Sequence, residues 1–165
     1  MLENAVAMQT PATSFLDAAG IAYELHRYDH DPSAVSYGLE AAELLGLDPG
    51  VVFKTLMAQL DNDPKQLAVA IVPVSDMLDL KALARAAGAK RAAMAAIDVA
   101  ERVTGYVAGG ISPFGQKRLL PTFIDETAEI CDRIYVSGGQ RGLDLSIAPA
   151  DLMTALDATA APIAT

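Results

Sequence analysis

Val51-Val52-Phe53-Lys54-Thr55-Leu56-Met57-Ala58-Gln59-Leu60 opens with β-branched and aromatic residues and stays apolar on both of its alternating sets. It predicts a strand. Asp61-Asn62-Asp63-Pro64 reads as a turn, and Gln66 to Val74 as the next strand, so residues 51–74 form an expected hairpin. One residue does not suit this setting. Side chains two apart share a face of a strand, which places Lys54 with Val52, Leu56, Ala58 and Leu60 on the more apolar face. Desolvating an ammonium is costly unless something pairs with it, so Lys54 either snorkels to an edge or serves a site.

Working outward, Thr10-Pro11 supplies an N-cap and a proline at the first helical position, and Gly20 a C-cap. Residues 22–28 read as a strand stopped by Asp31-Pro32, and Gly38 to Leu45 as a helix closed by Gly46. Asp79 caps a helix through Ala87, ended by Gly88, and a further helix covers about 96–103 before Gly105. Leu120–Ile124 and Arg133–Ser137 read as strands, and Gly138 to Gly142 joins the latter to Leu143–Ile147 as a second hairpin. Pro149 opens a last helix. Strands and helices mix without regular βαβ alternation, which predicts an α+β fold with a mixed, barrel-like sheet flanked by helices. The expected domain is single and spans 10–157, between a flexible segment 1–9 and a frayed Ala/Thr tail 158–165.

With 52% apolar and 20% charged residues, the 165-residue chain is globular rather than disordered in composition. One cysteine forbids an internal disulfide and fits a reducing, cytoplasmic setting. The N-terminal stretch lacks the basic start of a signal peptide, and no apolar run reaches membrane-spanning length, so no membrane partner is expected. The formal charge of −9 argues against a general nucleic-acid binder, DNA included. It is unevenly placed: residues 1–50 hold Arg27 alone among bases, whereas 81–118 hold Lys81, Arg85, Lys90, Arg91, Arg102, Lys117 and Arg118 against Asp98 and Glu101. That region is either a solvated surface or a small, salt-sensitive contact with a polyanion.

His26 and His30 resemble a metal pair only in a helix; in a strand they lie about 13 Å apart, and no further histidine exists to complete a zinc site. No metal is expected. Cys131 sits in Glu129-Ile130-Cys131-Asp132, an acidic setting that raises a thiol's pKa. Ser112 and Ser137 lie in glycine-rich loops but not in a Gly-x-Ser-x-Gly elbow. The sequence thus offers no covalent catalyst. The loop from Thr104 to Arg118, with Gly109-Gly110-Ile111-Ser112-Pro113-Phe114-Gly115, is of the kind whose backbone N–H groups approach a ligand or oxyanion. Asp144 is a candidate carboxylate just past the Gly138–Gly142 turn.

Taken together, His26-Arg27-Tyr28-Asp29-His30-Asp31-Pro32, Val52-Phe53-Lys54-Thr55-Leu56, Leu78-Asp79-Leu80-Lys81, Thr104-Gly105-Tyr106 with Gly109 to Gly115, and Ile134 to Gly139 with Arg141-Gly142-Leu143-Asp144 resemble the YbaK/EbsC family. That family is related to the editing domain of bacterial prolyl-tRNA synthetases, and the resemblance runs from Thr10 to about Leu156. It is closest to the Cys-tRNA(Pro) deacylase branch. It implies trans-editing hydrolysis of Cys-tRNA(Pro) without a cofactor, the substrate's own thiol attacking its ester, with prolyl-tRNA synthetase as an expected partner. Lys54 matches the family's essential lysine, Tyr28 and Asp144 match pocket positions, and Gly109 with Pro113 fits a Gly-x-x-x-Pro substrate loop. The expected substrate-binding set is Tyr28, Thr55, Gly109, Gly110, Ile111, Ser112, Pro113, Ser137, Gly138 and Asp144, and Lys81, Lys117, Arg118 and Arg141 are expected tRNA contacts. Gln140 departs from the basic residue common in relatives. An Ala-tRNA(Pro) deacylase and a non-catalytic binder of aminoacyl-tRNA ends or nucleotides are the competing functions.

Overall fold

A computed structural model describes residues 9–165. Of the expected flexible segment 1–9, only Gln9 lies among the described residues. Helix α1 (Pro11–Ala19) starts at a reciprocal cap: Thr13 N donates to Thr10 Oγ1 at 3.2 Å and Thr10 N to Thr13 Oγ1 at 2.8 Å. Gly20 closes it at φ 70°, a left-handed conformation that glycine adopts without strain. Strand β1 (Glu24–Arg27) and helix α2 (Tyr37–Leu44) follow, then the hairpin β2 (Phe53–Leu60) and β3 (Leu67–Pro73). Helix α3 (Leu80–Ala87) is capped by the Asp79 side chain and by Gly88, as its sequence predicts. Strand β4 (Ala92–Met94), helix α4 (Ile97–Thr104), strand β5 (Thr122–Asp125) and a 3-10 turn at Glu126–Ile130 lead to β6 (Ile134–Gln140). Strand β7 (Leu143–Ile147), helix α5 (Pro149–Leu156) and strand β8 (Thr159–Ala161) complete the order.

The strands form two sheets. One has the order β1-β7-β6 and is antiparallel; the other has the order β4-β2-β3-β5-β8. In the larger sheet β2 and β3 pair from Phe53↔Pro73 to Gln59↔Leu67, β4 joins antiparallel, and β5 and β8 join in parallel. The sheets meet at one parallel bridge, Val52↔Tyr135, where Tyr135 N donates to Val51 O at 2.9 Å. Beyond it β2 and β6 have no further pairing. The expected barrel-like closure is therefore corrected to two open sheets, the larger one mixed and the smaller antiparallel, hinged at that bridge. β4 is only three residues long and meets β2 only at Ala58–Leu60, too far along to fill the gap.

Both faces of the β2–β3 hairpin are covered, which is why its sequence is apolar on both alternating sets. Ala58, Leu60, Ala68, Ala70 and Val72 pack under α3 through Ala82 and Leu83. On the opposite face Phe53, Val69 and Ile71 meet Ile134, Val136, Leu145 and Ile147 of the smaller sheet, with Leu16 of α1 and Leu152 of α5. Further along that same face, Met57 and Leu67 carry Ala100 and Val103 of α4.

The tail expected to fray does not. β8 pairs with β5, Ile163 is wholly buried, and Thr165 N and Met77 O bond at 2.9 Å. Its anchor is the carboxylate of Asp125, 2% exposed. Oδ1 accepts from Ile163 N at 3.0 Å and Ala164 N at 2.9 Å, and Oδ2 from Thr127 N at 3.2 Å and Thr127 Oγ1 at 2.6 Å. A short Ala/Thr run carries no sign of a partner 38 residues away. Replacing Asp125 with Ala leaves buried N–H donors without an acceptor, and we expect a loss of roughly 3 kcal/mol or more in urea unfolding. A loss below about 0.5 kcal/mol, the level of an ordinary surface change, would mean that the anchor is idle.

Candidate active site

Where the sheets part, they leave a cleft. Odd-numbered residues of β2 and of the segment leading into it turn their backbone groups toward it: Val51 O accepts from Tyr135 N, and Met57 O accepts from Ala95 N at 3.0 Å. Thr55 lies between these two and has no strand beside it on that edge. Its Oγ1 is buried without a hydrogen-bond partner among the described residues. The cleft holds a cavity of about 300 Å³ lined by Tyr28, Val35, Ser36, Tyr37, Gly38, Ala41, Val52 to Leu56, Gly109, Ile111, Ser137 and Asp144.

Lys54 enters from the larger sheet, half-buried at the end of the face that Leu56, Ala58 and Leu60 continue into the core. Burial lowers its pKa from the ordinary lysine value, partly opposed by the charge of Asp76. Asp144 enters from the smaller sheet, paired with Ser137 across β6 and β7 and with His26 across β1. It is 6% exposed, on the wall of the cavity. Burial pushes its pKa up to about 7. Tyr28, just past β1, has its pKa raised to about 12 by burial and by the charge of Asp144. Both charged groups are thus displaced toward their neutral forms by desolvation.

The outer wall belongs to Tyr37, which the sequence reading did not single out. Its ring lies 5.1 Å from the Arg141 guanidinium carbon and 5.8 Å from the His30 ring. A side chain on Gly109 would meet that ring at 2.7 Å, and Gly109 has φ +84°. Gly110 is needed differently: a Cβ there would lie 2.8 Å from Gln140 Cα, so this glycine lets the loop rest on the β6–β7 hairpin. Gly38 allows α2 to approach, since a Cβ there would overlap Val74 Cγ1. A glycine in the first turn of a helix, two residues after Ser36 as N-cap, was the available sign that this helix is pressed against something.

Of the expected substrate-binding residues, Tyr28, Thr55, Gly109, Ile111, Ser137 and Asp144 line the cavity with Lys54. Gly110, Ser112, Pro113 and Gly138 do not. Ser112 is wholly buried and its Oγ accepts from Phe114 N at 3.3 Å, while Phe114 O accepts from the Tyr106 hydroxyl at 2.5 Å. These contacts hold the loop from behind. Gly138 O accepts from Thr10 Oγ1 at 2.6 Å, tying the hairpin to α1.

The cations expected to touch tRNA are dispersed. Arg141 donates through Nε to Ala108 O at 2.7 Å, beside the cavity mouth. Lys81 lies on α3, on the Lys54 side of the larger sheet. Lys117, bonded to Thr104 at the end of α4, and the exposed Arg118 follow the helix on the other side. The basic stretch 81–118 is therefore two surfaces, not one.

The histidines have separate partners, His26 with Ser146 Oγ at 2.9 Å and His30 with Glu40 Oε1 at 2.8 Å. No three His, Cys, Asp or Glu side chains converge on a metal site among the described residues. The Cys131 thiol has its pKa raised by burial first and then by Asp132 and Asp48, which disfavours the thiolate.

A family model for the aminoacyl-tRNA editing domain matches residues 31–155. The chain belongs to this family. The match takes in α2, both hairpins and every described cavity residue except Tyr28. EbsC of Enterococcus faecalis, named as a candidate Cys-tRNA(Pro)/Cys-tRNA(Cys) deacylase, is 38% identical to this editing domain over 124 residues, 75% of this chain and 74% of EbsC. Among solved structures, a candidate trans-editing enzyme for prolyl-tRNA synthetase superposes with a TM-score of 0.81 at 22% identity, covering 94% of this chain and 95% of that one. The hypothetical protein APE2540 superposes with a TM-score of 0.82, also at 22% identity, covering 94% and 99%. At that identity the two structures speak for the fold. No helix among the described residues of this editing domain is long and apolar enough to cross a membrane.

The environment of Asp144 makes stability depend on pH with a definite sign. The folded state holds this proton up to about pH 7, whereas the unfolded chain releases it above the ordinary aspartate value of 3.8. Its contribution is therefore largest below that value and declines as pH rises toward 7, by at most about 4 kcal/mol. Asp144→Asn has no such decline. Relative to the unaltered protein, its stability in urea should rise by roughly 2–4 kcal/mol between about pH 4.5 and pH 8. A difference independent of pH would show Asp144 to be hydrated.

Proposed function

We propose that this chain is a trans-editing aminoacyl-tRNA deacylase whose preferred substrate is Cys-tRNA(Pro), acting in the cytoplasm alongside prolyl-tRNA synthetase. The observation that carries this reading is the cleft itself. It brings a half-buried lysine and a buried carboxyl group to one small cavity between two sheets, whose lining hydroxyls, Ser36, Thr55 and Ser137 among them, have no histidine beside them in that lining and no cysteine to replace them. The family match and the name of the EbsC relative point to the same ester chemistry.

An aminoacyl ester is already activated, so orientation and electrostatic stabilisation suffice. The substrate is an ester of a cationic amino acid on a polyanion. In this reading Asp144 accepts the α-ammonium, which would hold the carboxyl in its ionised form. Lys54 holds the ester carbonyl, the ribose or the terminal phosphate in this reading, and the free edge at Thr55 offers an amide donor on the same side. With cysteine bound, its thiol gives up a proton and its sulfur attacks the carbonyl carbon. The carbon–oxygen bond to the ribose breaks, the ribose oxygen takes a proton, and a cyclic thioester leaves for hydrolysis by water. Tyr37 against Gly109 limits the room for larger side chains.

The deciding assay compares deacylation of Cys-, Ala- and Pro-tRNA(Pro). Cysteine should be removed fastest, EDTA should leave the rate intact, and Cys131→Ala should turn over normally. Preference for alanine would favour attack by water, and no turnover on any of the three would leave a binder. Lys54→Ala should lower turnover roughly 100-fold or more while the protein stays folded, because removing a partly compensated buried charge need not cost stability. Lys54→Arg should also be badly impaired, since it keeps the charge but changes donor geometry and bulk. Near-normal turnover by folded Lys54→Ala would refute the assignment.

A further inference from the structure

Four of the chain's 12 Lys and Arg residues converge on a second cavity, although its formal charge is −9. Lys81 and Arg85 stand four apart on α3, on one face of the helix. Lys90 and Arg91 follow in the connection to β4. With Leu80, Ala84, Ala89 and Ala92 they line a trough of about 660 Å³ that contains no acidic residue. All four are exposed, and none lies within 4 Å of a carboxylate among the described residues. The neighbouring acids are already committed: Asp79 caps the helix through Ala82 N, and Asp61 Oδ1 accepts from the backbone N–H of Lys90 at 2.8 Å and of Arg91 at 3.1 Å, fixing the connection. An ordinary solvated face interleaves signs. Like charges four apart on a helix repel, so a trough of one sign in an acidic protein is matched to an anion.

Its position identifies the anion. α3 covers the face of the larger sheet from which Lys54 projects, and Leu60, six residues along β2 from Lys54, pairs with Ala92 in the trough. Six strand residues span about 20 Å, a distance that several nucleotides of a nucleic-acid strand bridge. We propose that Lys81, Arg85, Lys90 and Arg91 bind the phosphodiester backbone of the tRNA whose esterified 3′ end occupies the cleft. This rests on the deacylase reading for the direction in which the nucleic acid approaches. It also separates the two basic surfaces: Lys117 and Arg118 face away from the Lys54 side and take no part.

Three charge reversals test it: Lys81→Glu with Arg85→Glu, Lys90→Glu with Arg91→Glu, and Lys117→Glu with Arg118→Glu as the opposite-face control. Binding of uncharged tRNA is followed by fluorescence anisotropy over a salt series, and turnover is measured on both Cys-tRNA(Pro) and cysteinyl-adenosine. Each trough variant should bind tRNA about tenfold or more weakly, with a slope of log affinity against log salt shallower by roughly 2. Each should lose kcat/KM on charged tRNA through KM and keep its rate on cysteinyl-adenosine, which has no backbone to reach α3. The control should match the unaltered protein. Unchanged tRNA affinity and salt slope in folded trough variants would overturn the proposal, as would equal losses on both substrates, or losses confined to the control. If the unaltered protein cleaves neither substrate yet binds tRNA through these four residues, the deacylase reading falls and the trough stands.

Discussion

Everything that makes a site here depends on the sheets touching at one place. The bridge between Val52 and Tyr135 holds two strands together for a single step, and their separate partners then draw them apart. Had the pairing continued, the edge at Thr55 would be spent on a neighbouring strand and the cleft would be closed. The short β4 leaves that edge open from the other end. The opening is therefore framed by hydrogen-bonded backbone, and side chains projecting into it come from strands whose opposite faces lie in the core. Such framing holds polar groups in place before any ligand arrives.

The two sheets contribute opposite charges to that opening, and neither charge is comfortable. Lys54 and Asp144 are each pushed toward neutrality by burial. Groups arranged in this way cost folding free energy and gain it back only when complementary charge is supplied from outside. An aminoacyl-tRNA end carries both signs within a few bonds, an ammonium beside an ester and then a phosphate. The discomfort of the empty site is thus selective for a ligand of that kind.

Much of this was legible in the sequence wherever the cause was local. Caps at Thr10 and Asp79, glycine stops at Gly20 and Gly88, and the apolar alternation of β2 each act within a few residues of themselves. Lys54 was legible because a lone charge on an apolar face demands an explanation, and Asp144 because it follows a glycine turn. What was hidden depends on distant neighbours. Asp125 gives no sign that it binds Ile163 and Ala164, and the Ala/Thr run gives none that it completes a sheet. The basic stretch 81–118 looked continuous, but a chain that crosses from α3 through β4 to α4 changes sides of the sheet on the way. Tyr37 went unnoticed because its importance comes from Gly109, 72 positions away, and not from its own surroundings.

The parallel strand β8 has a consequence for the order in which the protein is made. It pairs only with β5, and between them the chain must first build the 3-10 turn, β6, β7 and α5. Synthesis proceeds from the N-terminus at a pace of several residues per second, so a nascent chain presents β5 and Asp125 to solvent while every later element is still being added. During that interval the larger sheet carries an unpaired edge of the kind that recruits other strands. On the ribosome, the protein is exposed to misassembly until residues 159–165 emerge and cover it.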